Sequence, residues 1–409
     1  MNIDNISDYR LSNNKEKNLW KDCIFIFDSS ALLDFYYLPQ PKRNEIYSQI
    51  FTKLRGRLWI PSQVEYEYLK NRESSIAKPI IEKYKPLRDK LEQLKKSFKN
   101  EISNKIESIK NETKKDDKHP FINQDAINIF INDCKDFNEK IEKFNILISL
   151  EIEKSETLIK DCEKSDDVLD NLTLNFKVGN KFSFQQVLEI VQEGKLRYEY
   201  DIPPGYGDLK SGEKQGTQIF GDLIIWKEIL NYSREILKPI IFITNDLSKS
   251  NDWCYPEENN KDRIKSPREE LVKEIRDFSN VDFWMYSLPQ FLFNANKYIN
   301  SKIDKEVIDN SATSLQLKNE YKKEGLLKIF VDDLGRDYIT QEINKELIET
   351  ILIKLTPREA DFIRLNSPHI MQKALTVEEI AEVFDLTIER ALEIRNKAIK
   401  KILINNTDY

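Results

Sequence analysis

Ile24-Phe25-Ile26-Phe27-Asp28-Ser29-Ser30-Ala31-Leu32-Leu33 decides the fold. A short unbroken apolar run reads as a strand of a parallel sheet, the aspartate closes it, and a helical stretch begins at about Ser30. The same order recurs in Ile240-Ile241-Phe242-Ile243-Thr244, followed by Asn245-Asp246. Between these runs the pattern predicts a helix near Pro41 to Leu54, a strand over Arg57 to Ile60 and a helix from about Ser62 to Asn71. Farther on, a helix is expected over Ser183 to Glu193, a helix from Gly221-Asp222 and a last strand over Val281 to Tyr286. Strands alternating with helices specify an α/β fold built on a parallel sheet.

Such sheets carry their sites at the carboxyl edge of the strands, where Asp28 and Asp246 fall. Glu67, in Pro61-Ser62-Gln63-Val64-Glu65-Tyr66-Glu67, and Asp222, in Gly221-Asp222-Leu223-Ile224-Ile225-Trp226, add two more acids. Singly, each has an ordinary explanation, because an acid after a strand caps a turn or helix and Asp222 suits the positive end of a helix dipole. Together, four acids at one edge repel one another at neutral pH unless cations stand between them, and such clusters mark sites. Glu65 and Glu67 project from different faces of their helix, so only one of them points inward.

Composition narrows the chemistry. The 409 residues include only two histidines, His119 and His369, neither near the acids in sequence. A Ser-His-Asp triad or a histidine-rich zinc site is thereby disfavoured. Cys23, Cys134, Cys162 and Cys254 are too scattered for a CxxC knuckle and read as reduced thiols of a cytosolic protein. The chemistry falls to carboxylates with a hard cation, Mg or Mn.

The length allows two or three domains at roughly 100 to 200 residues each. Residues 21–298 read as one α/β domain. It is interrupted over about 80–165 by two amphipathic runs, Leu87-Leu91-Leu94-Phe98-Ile102-Ile106-Ile109 and Ile127-Phe130-Cys134-Phe137-Ile141-Phe144-Ile148. Their steps of three and four around a Lys/Asp-rich break predict an antiparallel helical hairpin or coiled coil, with packing as its role and a nucleic-acid- or partner-binding arm as the alternative. Residues 299–327 read as a linker or exposed helix and 328–406 as a small helical domain. The polar start and the lack of a long apolar stretch predict a soluble, cytoplasmic protein without a membrane partner. The net charge of -6 does not advertise a nucleic-acid binder, although it averages over local patches and bound cations would offset several acids.

At these acids the chain resembles the PIN-like nuclease superfamily, in a bacterial branch with a long helical insertion. The resemblance rests on Phe27-Asp28-Ser29-Ser30-Ala31-Leu32-Leu33-Asp34, then Pro61-x-x-Val64-x-x-Glu67-Tyr68-x-x-Asn71-Arg72, then Pro203-Pro204-Gly205-Tyr206-x-Asp208. Gly221-Asp222-Leu223-Ile224-Ile225-Trp226 and Thr244-Asn245-Asp246 with Asp252-Trp253 complete it. It implies a three-layer α/β domain with Asp28, Glu67, Asp222 and Asp246 as catalytic metal ligands, and Asp208 and Asp252 as accessory acids. Ser30 stands where the family's opening motif commonly has Asn. One or two Mg or Mn ions would activate water against a phosphodiester. Lys70, Arg72, Lys210 and Lys214 flank the motifs and would clamp backbone phosphates, with solvated surface charge as their ordinary reading. By analogy alone, the substrate is RNA or another single-stranded nucleic acid and the setting a toxin or phage-defence effector.

The C-terminal part resembles the helix-turn-helix of region 4 of bacterial sigma factors through Leu355-Thr356-Pro357-Arg358-Glu359-Ala360, Leu375-Thr376-Val377-Glu378-Glu379-Ile380-Ala381 and Leu386-Thr387-Ile388-Glu389-Arg390-Ala391. Apolar spacing independently predicts a small core of Ile380, Val383 and Phe384 against Ala391, Ile394 and Ala398, with Thr387 as N-cap. Ile388, Leu392 and Glu393 replace the polar or basic residues usual on the recognition helix. Arg390, Arg395, Lys397, Lys400 and Lys401 keep a basic face, which suits phosphate contact better than base readout. DNA and a protein partner both stay open there, as does a homo-oligomer. Two classes of function remain: a metal-dependent nuclease with an accessory helix-turn-helix, and a noncatalytic regulator on a PIN-like scaffold.

Overall fold

A computed structural model describes residues 9–114, 119, 122–211, 214–247, 252–257, 263–316, 352, 355–366 and 375–405. The N-terminal helix α1 (Asn13–Asp22) leads into β1 (Ile24–Phe27), α2 (Ser29–Leu33) and α3 (Gln40–Ile46), and β2 (Leu58–Ile60) precedes α4 (Ser62–Pro79). Next come α5 (Lys85–Ser97), α6 (Asn104–Glu112), α7 (Gln124–Lys164) and α8 (Asp167–Asn175), then β3 (Lys177–Val178), α9 (Phe184–Glu199) and α10 (Tyr206–Ser211). The α/β part closes with α11 (Gly221–Ile236), β4 (Ile240–Ile243), the hairpin β5 (Cys254–Pro256) and β6 (Ile264–Pro267), α12 (Glu269–Ser279), β7 (Phe283–Tyr286) and α13 (Leu288–Ile299).

The five-stranded sheet has the order β3-β2-β1-β4-β7, and every pairing in it is parallel. The chain builds outward from β1 to β2 and β3, then returns to lay β4 on the other side of β1. The β1–β4 boundary is therefore the topological switch point, and crevices at the carboxyl ends of strands open there. Ile24 pairs with Ile240 and Phe27 with Ile243, which sets Asp28 and Thr244 side by side. Every residue of β1, β4 and β7 is buried, as a parallel sheet covered by helices on both faces requires. One face packs Phe25 and Phe27 on Phe291 of α13, with Trp20 of α1 against Phe25. The other packs Phe283 on Trp226 of α11 and Phe242 on Trp253.

β1 has the expected bounds, β2, β4 and β7 are one or two residues shorter than expected, and two helices are longer, α4 running to Pro79 and α9 to Glu199. The helix expected over Pro41 to Leu54 ends as α3 at Ile46 and continues as a π-helical turn over Tyr47–Phe51. The two-residue β3 left no apolar signature, since both of its side chains are exposed at the sheet edge.

Arg72–Asp167 forms a compact unit of its own, a helical hairpin inserted into the α/β part. Within it, Lys95 pairs with Glu142 at 3.1 Å, Arg88 with Glu156 at 3.0 Å, and the Phe98 and Phe137 rings lie 5.5 Å apart. These rungs set α5 and α6 antiparallel to α7. Long charged helices are held here by a narrow seam that buries Leu91, Phe98, Ile141 and Ile152.

Residues 305–316 are helical. The boundary expected near residue 328 lies outside the described residues. The C-terminal helices α14 (Pro357–Asn366), α15 (Val377–Val383) and α16 (Ile388–Asn405) enclose Phe362, Val377, Ile380, Ala381 and Ala391, with Phe384 and Ile394 packed alongside. Thr376 and Glu379 form a capping box at the start of α15, and Thr387 accepts the Arg390 amide as expected of an N-cap. Val383 corrects the expected core, because it is 61% exposed. Val377, Ile380, Ala381 and Phe384 already fill the inward quadrant of that helix, and Val383 falls outside it.

Phe27 is fully buried between the Phe51, Phe176 and Phe291 rings. Phe27→Ala is expected to cost about 3–5 kcal/mol, read as a lower urea midpoint at an unchanged slope.

Candidate active site

Asp28 ends β1 and serves as N-cap of α2, its carboxylate accepting the Ser29 amide at 2.7 Å. The other oxygen accepts the Ser30 hydroxyl at 2.5 Å and the Thr244 hydroxyl at 2.9 Å, so the side chain is fixed from both sides of the β1–β4 junction. Ser30 Oγ also accepts the Asn245 amide at 3.0 Å. Asn245 donates to buried Asp34 at 2.7 Å and accepts the Leu288 amide at 2.8 Å, which locks the turn that presents Asp246.

Glu67 arrives from α4. The Ser29 hydroxyl donates to one of its oxygens at 3.0 Å and Gln63 to the other at 2.9 Å. The start of α4 is pinned by Glu228 of α11, a buried carboxylate that accepts the Ser62 amide at 2.5 Å and the Ser62 hydroxyl at 2.6 Å. The first turn of α11 lies against Glu67, for a Cβ on Gly221 would stand 3.2 Å from Glu67 Oε1. Asp222 follows at once and faces Gly205, where a Cβ would come within 2.8 Å of Asp222 Cβ and 2.5 Å of the Tyr198 hydroxyl. Gly205 also has φ +90°, so a side chain there is excluded by both space and backbone.

The four acids act on one another. Burial pushes Asp28 up from the usual 3.8 to about 6, and Glu67 and Asp246 push in the same direction against the Ser30 and Thr244 hydrogen bonds. Asp222 is raised to about 7, first by burial and then by Glu67, Asp246 and Asp28, with the Lys214 ammonium opposing. Hard carboxylate oxygens that burden one another in this way suit a divalent cation in kind and charge. As they stand, the oxygens of Asp28 and Glu67 are turned to protein donors, and among the described residues no three acidic, histidine or cysteine side chains form a group close enough to hold an ion.

The other expected residues separate into distinct settings. Asp208 is buried and paired with Lys214 at 2.6 Å, and Asp252 is buried and accepts the Gly207 amide at 2.9 Å. Both brace the Pro203–Ser211 loop that packs on Asp222. Arg197 holds the same loop by donating to the Pro203 carbonyl while paired with Glu274 at 2.8 Å. Lys70 is exposed, Arg72 pairs with Asp166 at 3.4 Å, and the Lys210 side chain lies outside the described residues. On α16, Arg390 is paired with Glu393 and Lys401 with Glu359, Arg395 is half-buried, Lys397 is exposed, and the Lys400 side chain lies outside the described residues.

Sequence reasoning missed Ser29, Thr244, Asn245 and Glu228 as positioning groups and gave Ser30 no part. The hydroxyl-rich Asp28-Ser29-Ser30 and Thr244-Asn245-Asp246 turns carried a signal for the first group, because short polar side chains after a strand bond locally. Glu228 carried a weaker one, an acid inside the apolar run Leu223 to Leu230 that needs a partner when buried.

Residues 24–271 match a family model described as a PIN like domain. Over 66 residues, 16% of the chain, the sequence is 35% identical to RNA polymerase sigma factor SigA of Nostoc sp., covering 17% of that protein. SigA proteins of Microcystis aeruginosa and Synechocystis sp. match at the same identity, with 16% of each covered. The chain thus spans about one sixth of the length of the curated relatives it matches, in keeping with a sigma-like region. No solved structure matches significantly.

The raised carboxyls make stability depend on pH. Between the unfolded value of 3.8 and about 7, the folded protein keeps a proton on Asp222 that the unfolded chain has released, so this contribution is full at low pH and is lost as pH rises through 7. In chelator-treated protein, Asp222→Asn is expected to raise Tm by about 2–4 °C near pH 8 after allowing for solvent screening, and to do little near pH 4. Thermal melts across that range check the sign.

Proposed function

The chain belongs to the PIN-like domain family, a nuclease superfamily, and from that premise we propose that it is a metal-dependent endonuclease that hydrolyses phosphodiester bonds, RNA in preference to DNA. One observation carries the reading: four acids from four chain segments lie within electrostatic reach of one another, and burial first, with the neighbouring acids adding to it, raises Asp28 to about 6 and Asp222 to about 7. A core that bears this mutual repulsion without a ligand to offset it would be an ill-favoured design.

Asp28, Glu67, Asp222 and Asp246 would hold one or two divalent ions, Mg or Mn. When bound, the ions supply an activated water and neutralise charge at the phosphodiester. The remaining work falls to the chain. Ser30 and Thr244 hold Asp28 in one orientation, and Ser29 links Asp28 to Glu67 through its amide and hydroxyl. Glu228 fixes the start of α4 and hence the placement of Glu67. Lys214, held by Asp208, keeps a positive charge beside Asp222 and is suited to meet a substrate phosphate, as is exposed Lys70. Arg72 and Lys210 belong to the same proposed phosphate set, and Asp208 and Asp252 serve as accessory acids.

The C-terminal helices serve recruitment in this reading. Pairing of Arg390 and Lys401 with acids leaves Lys397 as the exposed cation of α16 among its described side chains, which suits backbone contact more than base readout. Exposed Ile388 and Leu392 on the same helix suit a protein surface equally well. A toxin or phage-defence setting accords with a nuclease joined to a recruiting module. Among the described residues no helix is long and apolar enough to cross a membrane.

Labelled RNA and DNA incubated with purified protein and Mn or Mg test the activity. Asp28→Asn and Asp246→Asn are each expected to lower cleavage on the order of 100-fold or more while melting no lower than the parent. Full activity in either variant overturns the assignment, and no cleavage by the parent under any divalent ion leaves the regulator on a PIN-like scaffold. For the C-terminal helices, Lys397→Glu is expected to weaken nucleic-acid binding and reduce its salt slope by about one. An unchanged slope would assign that face to protein.

A further inference from the structure

The hairpin of the Arg72–Asp167 unit carries more apolar surface than its own seam consumes. Beside the seam residues of α5 and α6 runs a second row, Leu87, Leu94, Ile102 and Ile109, each between 41% and 54% exposed. Beside those of α7 runs another, Phe130, Phe137 and Phe144, each between 48% and 57% exposed. Seven-residue spacing keeps a row on one side of a helix. The single eight-residue step, Leu94 to Ile102, crosses the π-helical turn Phe98–Ser103, which absorbs the extra residue.

Each row is displaced from the seam in the same rotational sense about its own helix. In an antiparallel pair this brings both rows to one side of the hairpin, and the Phe98–Phe137 ring contact ties the phenylalanine row to α5 there. A two-helix hairpin needs one apolar stripe per helix, whereas a widened stripe of seam plus neighbouring row belongs to helices of a four-helix bundle.

We propose that this face docks on the same face of a second copy of the chain, forming an antiparallel four-helix bundle. Three half-exposed phenylalanines offer on the order of 300 Å² of ring surface. The four aliphatic side chains add a comparable area, and the sum approaches the ~800 Å² per partner of a stable interface. Charge selects the partner. A two-fold axis along the hairpin sets α5 and α6 of one copy beside α7 of the other at the level fixed within each hairpin, where Gln124 bonds the Thr113 carbonyl at 2.6 Å and Lys95 meets Glu142. At that level exposed Lys105 stands opposite exposed Asp133 of the second copy. Unlike charges on the rim of an apolar face fix register and suppress wrong partners.

Sedimentation equilibrium on the full chain at micromolar concentration is expected to show a dimer. Phe137→Ser combined with Leu94→Ser should raise the dissociation constant roughly tenfold or more while far-UV ellipticity is retained. Should that variant lose helix, the charge variants decide: Lys105→Asp and Asp133→Lys should each weaken the dimer, and mixing the two should restore a heterodimer. A chain that stays monomeric at every concentration, whether or not nucleic acid or another protein covers the face, overturns the proposal. So does a dimer indifferent to both sets of substitutions.

Discussion

Parallel pairing of β1 with β4 is the constraint on which the rest depends. It joins segments 216 residues apart in the chain and places Asp28 against Thr244 within hydrogen-bond reach. Both strands are wholly apolar and buried, so the hydrophobic effect supplies the drive and the backbone ladder supplies the register. A slip of one residue would reverse every side chain on β4 and separate the two acidic turns. The same pairing creates the switch point, so one packing decision yields both the core and the crevice beside it.

Against that stabilising core stands an electrostatic cost. Burial first, and the neighbouring acids after it, raise Asp28 and Asp222, and hydrogen bonds from Ser29, Ser30 and Thr244 hold one of the two in place. Helix dipoles soften the burden, since Asp28 caps α2 and Asp222 lies in the first turn of α11. Lys214 softens it further at Asp222. Repulsion retained in an otherwise well-packed domain is the usual relation between stability and a working site.

The helical parts are built on other terms. Within Arg72–Asp167 a narrow seam and a few ion pairs hold helices that remain largely solvated, and surplus apolar rows give that unit a surface to share. The C-terminal helices close around a small core centred on Phe362 and Ile380, with Lys401 and Glu359 tying α16 to α14. That same ion pair, with Arg390 to Glu393, consumes cations that a sequence places on a basic face. Counting charges along a helix overstates what it can offer a nucleic acid when its neighbours answer them.

By itself the sequence determined the strand-ending acids, the α/β order, the helical hairpin and the sigma-like module, because these rest on local periodicity and on turns that close within a few residues. The candidate acids Asp28, Asp222 and Asp246 were legible for that reason, each set at the end of a recognisable element, whereas Glu67 lies inside α4. Only the tertiary structure decided that Ser30 serves Asp28, that Glu228 anchors the helix of Glu67 across 166 residues, that Asp208 answers Lys214, and that Val383 faces solvent. Those outcomes depend on which elements become neighbours and at what register. That choice is made by packing between distant segments, and no local pattern records it.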